Sequence, residues 1–260
     1  MDLHTLFSFR EQEDESKPFM DHLGDLRVMI IRMAVVLLIT TIGAFFFRDF
    51  LAAVIQRPLM IVDPSRMNSL QSLGVADSMT ISLQLAFYAG MVMAFPLLTL
   101  FLAQFLFPAL KPSERKILLP IALFALLLFI TGISFAYFIV LPGTLEFFFK
   151  DAKAMKWTPM WTVREYYSFT TQFLIAFGVA FEMPMVVLAL VKLGFLTAEK
   201  LRKTRSVAII AIFTLAAFIT PSPDFVTYLL MGGPMVVLYE ICILLARWVE
   251  PKAGACEISD

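Results

Sequence analysis

The chain has 260 residues, 60% hydrophobic and 16% charged, and its 21 basic and 21 acidic residues cancel. A soluble domain of this length needs far more polar surface, and a neutral chain has no bulk electrostatic draw on nucleic acid. The useful measure is the number of spans, each about 20 apolar residues long.

Residues 1–27 are polar and acidic. They hold no apolar core behind a basic n-region, so no cleavable signal peptide is expected and the first span serves as the insertion signal. Residues 1–18 read as a disordered cytoplasmic terminus. In residues 19–27, Leu23 and Leu26 continue at helical spacing into Ile30 and Ile31. That pattern predicts an amphipathic helix lying at the inner interface and leading into the first span. Asp21 and Asp25 are four apart and share a face.

Apolar runs follow near residues 28–47, 82–107, 117–141, 169–191, 206–220 and 225–246. Pro96 and Pro184 sit within two of them and predict kinked helices rather than an internal repeat. The polar, breaker-rich Pro221-Ser-Pro-Asp224 separates the last two runs, which read as a tight hairpin with both arms barely long enough to span. The fold class is therefore all-α: a polytopic transmembrane protein with six spans. Segments 1–27, 108–116, 192–205 and 247–260 carry 13 lysines and arginines, against seven in 48–81, 142–168 and 221–224. This bias places both termini on the cytoplasmic side. The longer outer segments are expected to carry short helices. Trp157 and Trp161 belong at the outer interface and Trp248 at the inner one. Residues 248–260 form a cytoplasmic tail.

Chemistry-bearing groups are few. Glu182 lies near the middle of the fourth run, where an acidic side chain is unfavourable by about 3 kcal/mol on translocon scales. It must face water, pair with a polar group or be protonated. A functional role is favoured over a structural hydrogen bond to a neighbouring helix. Glu114 precedes the third run, where capping of the helix N-terminus is the favoured reading on residue physics alone. Asp224 fits the same description for the sixth helix. Glu240 reads as structural, and Gln84, Gln104 and Gln172, near span ends, need no special role. Cys242 and Cys256 share no metal-ligand spacing. No metal, cofactor or disulfide is expected, and no catalytic motif is present.

Four segments together resemble the TatC family, the multispanning subunit of the twin-arginine protein translocase. His22-Leu-Gly-Asp-Leu-Arg27 resembles the family pattern HLxELR. Phe105-Leu-Phe-Pro-Ala-Leu-Lys-Pro-Ser-Glu-Arg115 resembles FxxPxLxxxER of the first cytoplasmic loop. Phe177-Gly-Val-Ala-Phe-Glu-Met-Pro184 resembles FGxxFExP, and Thr220-Pro-Ser-Pro-Asp224 resembles TPxPD. The resemblance covers residues 19–247, which it implies are one six-span membrane domain with a concave face.

It implies a protein-transport subunit of the cell inner membrane, not an enzyme. Such a subunit binds twin-arginine signal peptides of folded precursors and works with TatA/TatB-type single-span partners in a homo-oligomeric receptor. The proton-motive force drives transport. Glu114 becomes a signal-peptide carboxylate, which reverses the capping preference, and Asp25 the second. Asp25 stands where the family usually has glutamate, one methylene longer, and Asp21 on the same face shares the role. Arg27, Phe105 and Arg115 fall in the same two motifs and join the implied peptide site. Glu182 is implied to meet a polar residue of a partner helix, and Asp224 to shape the outer turn. Tyr228 stands where some relatives carry glutamine. The competing reading from residues alone is a proton-coupled solute transporter with Glu182 as the coupling group; it predicts a repeat with broken helices at the midplane. An intramembrane enzyme lacks a nucleophile, base or metal motif.

Overall fold

The computed structural model describes residues 19–62, 70–106, 118–157, 160–192, 196–219 and 225–249. In chain order these form α1 (Phe19–Phe45), α2 (Arg48–Val62), α3 (Asp77–Leu106), α4 (Leu118–Phe135), a π-helical turn (Ala136–Val140) and α5 (Leu141–Ala154). There follow α6 (Val163–Phe181), α7 (Met183–Lys192), α8 (Ala198–Lys203), α9 (Arg205–Ile219) and α10 (Phe225–Val249). Among the described residues, five stretches are long and apolar enough to cross a membrane: Leu23–Phe45, Asp77–Phe105, Ala122–Ala154, Val163–Val191 and Tyr228–Trp248. Arg205–Ala217 is a shorter apolar helix. The chain is a multipass helical membrane protein.

Two expectations change. Residues 19–27 are not a separate interfacial helix, because α1 runs unbroken from Phe19 to Phe45. No proline intervenes, and a single Gly24 costs a helix only about 1 kcal/mol. Nor are the last two helices equally short. The 15 residues of α9 rise about 22 Å, less than the roughly 30 Å hydrocarbon core. The 25 residues of α10 rise about 37 Å and run through Pro234.

One end of the bundle is a knot of short elements around α2. Pro58 lies inside α2 and has no N–H to give the carbonyl of Val54, four residues back. The Tyr137 hydroxyl, from the π turn, donates to that carbonyl at 2.7 Å. Tyr166, near the start of α6, donates to the Ile55 carbonyl at 2.7 Å, and Tyr167 to that of Ala52 at 3.4 Å. The π turn has a similar origin. Pro142 cannot bond back to Phe138, and the Leu141 N–H bonds instead to the Ala136 carbonyl, five residues back. Gln71 bridges to Thr162, whose side chain caps α6 in a reciprocal box with Glu165. Buried Asp77 accepts from the Gly74 N–H at 2.7 Å and starts α3. A Cβ on Gly74 would lie 2.6 Å from Asp77 Oδ1, so this turn requires glycine.

Between the ends, glycines let helix backbones touch. A Cβ on Gly90 of α3 would lie 2.7 Å from Thr41 Cα of α1. One on Gly132 of α4 would lie 2.7 Å from the Phe177 carbonyl oxygen of α6, and one on Gly178 would lie 2.7 Å from Phe129 Cε2. Without a hydrophobic drive between helices in lipid, such close packing supplies the association energy. Phe129, Phe173 and Phe177 are fully buried in this seam, and Phe95 stacks on Phe129 at 3.7 Å.

Gln84 corrects a further expectation. Its Nε2 donates to Thr171 Oγ1 at 2.8 Å, and its Oε1 accepts from Ser168 Oγ at 3.2 Å. The position, two turns into α3, faces α6, where no water competes, so the amide becomes an interhelical tie.

Candidate functional site

The end of the bundle opposite α2 holds Asp25 and Arg27, two of the charged residues singled out by sequence. The α2 end contains the last turn of α1 and the first turn of α3, so these helices are antiparallel, with Thr41 against Gly90. Asp25 lies 16 residues back along α1 from Thr41, and Leu106 lies 16 residues on along α3 from Gly90. At 1.5 Å per residue each is about 24 Å from the crossing. Asp25 is therefore level with the end of α3, at the mouth of the 107–117 segment. Asp25 and Arg27 are both exposed there, and Phe105 is half-buried one turn inside α3. Asp21 lies in the first turn of the same helix. Glu114, Arg115 and Asp224 lie outside the described residues.

Glu182 occupies a break between helices. The Glu182 N–H bonds to Val179 O at 3.1 Å in a tightened last turn of α6, and α7 begins at Met183. The cause is Pro184, which is buried and gives no N–H to Ala180. The side chain is half-buried. Its Oε1 is fully buried and has no hydrogen-bond partner among the described residues. A buried carboxylate oxygen without a donor is costly, and in an apolar setting it calls for a partner supplied from elsewhere.

A second concavity of about 410 Å³ lies toward the α2 end, between α2, α3, the π turn and α6. Its wall is mainly aliphatic, with Tyr88, Ser134, Tyr137 and Thr171 as polar points. Sequence reasoning passed over all four. The only signal available was their placement on faces that also carry buried residues, such as Leu85, Ala136 and Leu174.

Near the other end of α10, Glu240 forms a two-point ion pair with Arg205 at the start of α9. Arg205 Nε donates to Glu240 Oε1 at 2.5 Å and Nη2 donates to Oε2. Buried Tyr239 donates to the Leu201 carbonyl of α8 at 2.9 Å. Among the described residues no cluster of three or more His, Cys, Asp or Glu could hold a metal ion.

The family model described as Sec-independent protein translocase protein (TatC) matches residues 21–234. This chain belongs to the TatC family. A relative from Akkermansia muciniphila, named Sec-independent protein translocase protein TatC, is 41% identical over 80% of this chain, which spans 61% of that relative's length. The protein of the same name from Carboxydothermus hydrogenoformans is 34% identical over 92% of this chain and 97% of its own. A crystal structure described as the twin-arginine translocase receptor TatC is 34% identical. It superposes with a TM-score of 0.79 over 88% of this chain and 99% of that one. The chain is thus a TatC-type protein-transport subunit, and the solute-transporter reading is not favoured.

Proposed function

We propose that this TatC-family chain reads the paired arginines of a signal peptide at the end of the bundle opposite α2, and meets partner helices at Glu182. The observation that carries the proposal is the position of exposed Asp25 beside the mouth of the 107–117 segment, which contains Glu114. Two carboxylates at one membrane surface suit two guanidinium groups, because each guanidinium offers a planar fork that a lysine ammonium lacks. The Arg205–Glu240 pair is an internal instance of the same fork on a carboxylate. At a half-desolvated interface such pairs are stronger than exposed ones. Arg27, Phe105, Arg115 and Asp21 complete the peptide site.

In this reading the α2 end faces outward, and both termini and the peptide site are cytoplasmic, in agreement with the basic bias. The six apolar helices are six spans of a cell inner-membrane protein. Glu182, with its unsatisfied oxygen, takes a polar group of a TatA/TatB-type single-span partner. Several copies assemble as the receptor, and the proton-motive force moves the folded cargo.

Photocrosslinking of a twin-arginine peptide in membranes tests the site. Glu114→Gln nearly abolishes the crosslink, and Asp25→Asn weakens it. Wild-type crosslinking by the Glu114→Gln chain, present at wild-type amount, overturns the peptide-site assignment.

A further inference from the structure

The basic corner formed by α8, the start of α9 and the end of α10 has no role in the peptide reading. From 196 to 205 and from 240 to 249 the chain carries five basic residues and two acidic ones. Both acids are already engaged. Glu199 pairs with Lys203 at 2.9 Å within α8, and Glu240 holds Arg205. The Glu199–Lys203 pairing shifts both groups toward the charged state: the Lys203 ammonium lowers the Glu199 carboxyl pKa, and Glu199 raises that of Lys203. Lys200, Arg202 and Arg247 remain exposed, and no ion pair engages them among the described residues.

These cations stand on a fixed platform. Thr197 Oγ1 caps α8 by accepting from the Lys200 N–H at 3.1 Å, and Thr204 donates to the Lys200 carbonyl at 3.0 Å. Ala198 and Leu201 are buried, and the Tyr239 bond ties α8 to α10. The neighbouring surface is built for lipid tails. On α10, Ile241, Leu244, Leu245 and Trp248 are exposed, Trp248 at 89%. They alternate with buried Cys242, Ile243 and Ala246, which face the bundle. Arg205 begins α9 level with Glu240, and α10 runs on nine residues to Val249, so the exposed cations of α8 lie beside the exposed apolar face of the last turns of α10.

We infer that this corner is a binding site for an anionic phospholipid, with Lys200 and Arg202 holding the headgroup phosphate and the acyl chains lying along Ile241, Leu244 and Trp248. The charge balance favours an anionic headgroup over a zwitterionic one, and the exposed apolar stripe favours a lipid over a free phosphate. Each cation at such a surface contributes about a fivefold preference for anionic lipid. The inference requires only that α9 and α10 sit in a bilayer, and it is independent of the peptide reading.

The test uses the full chain in phosphatidylcholine vesicles, with Trp157→Phe and Trp161→Phe leaving Trp248 as the fluorophore. Brominated phosphatidylglycerol and brominated phosphatidylcholine are compared as quenchers at equal mole fraction. The expected relative binding constant favours phosphatidylglycerol by about fivefold or more, and falls by about fivefold or more in Lys200→Gln/Arg202→Gln, in which Arg247 keeps its charge. A chain carrying Trp157 and Trp161 with Trp248→Phe shows no preference, and added glycerol phosphate does not relieve the quenching. Equal quenching by both lipids in the parent chain overturns the inference. So does a preference unchanged by the double substitution, or relief by glycerol phosphate. Signal-peptide crosslinking, measured in parallel, reports on the other site alone.

Discussion

Removing the Tyr137 hydroxyl tests how α2 is held. Pro58 leaves the Val54 carbonyl without its helical donor, and Tyr137 supplies one at 2.7 Å. In Tyr137→Phe the carbonyl is stranded, which costs about 1–3 kcal/mol where the site is fully buried. Tyr137 is only half-buried, so the lower end applies, about 1 kcal/mol. In a Pro58→Ala background the backbone N–H of position 58 satisfies Val54, and the same Tyr137→Phe change costs a few tenths of a kcal/mol. The double-mutant cycle therefore gives a coupling of about 1 kcal/mol. Unfolding free energies from titration with a denaturing detergent in mixed micelles supply the four values. Equal costs of Tyr137→Phe in both backgrounds would refute the argument that proline creates the need for tyrosine.

Other changes separate the remaining contacts. Glu182→Ala impairs partner assembly, read by co-purification, while leaving peptide crosslinking within about twofold of wild type, since a single charge-assisted bond to a partner is worth about 1.5–3 kcal/mol there; lost peptide binding with intact assembly would reverse its assignment. Gly132→Ala destabilises more than Gly178→Ala in the same detergent titration. The first places a methyl against the Phe177 backbone oxygen and the second against the Phe129 ring, which can rotate; overpacking of this kind costs about 1–3 kcal/mol. Gln84→Leu loses the two ties to α6 and costs about 0.6–1.7 kcal/mol, the range of interhelical hydrogen bonds in membranes. An unchanged unfolding free energy would show that those bonds carry no weight.

The six apolar helices were legible because hydrocarbon demands long apolar runs with every backbone group satisfied, and that demand is written locally. The short helices between the long runs and the break at Pro184 were legible for the same reason: breakers and polar stretches stand out against such runs. Family motifs identified Asp25, Glu114 and Glu182 by order and position. The tyrosine ties to α2 were not legible, since Tyr137 and Val54 are 83 residues apart and each looks like an ordinary apolar-run residue. Gln84 was misjudged because distance from a run's end says nothing about which face meets a neighbour. The unequal lengths of α9 and α10 were missed because the ends of an apolar run do not mark the ends of its helix: α10 continues to Val249, past the last apolar run residue, while α9 stops at Ile219.

The extensive packing of α1 against α3 has a consequence for how the chain is made. Along α1 the side chains of Val28, Ile31, Val35, Leu38, Ile39 and Ile42 are all exposed, and Thr41 sits so close to Gly90 that a Cβ there would clash. Gly90 leaves the ribosome about fifty residues after Thr41. Until then α1 stands alone in lipid, so it must be an autonomous span before it is a member of the bundle. From Val28 to Phe45 its exposed side chains are apolar except Arg32, and that surface meets the requirement. Docking onto α3 is then a late event, and a bulky residue at position 90 would leave α1 inserted but adrift.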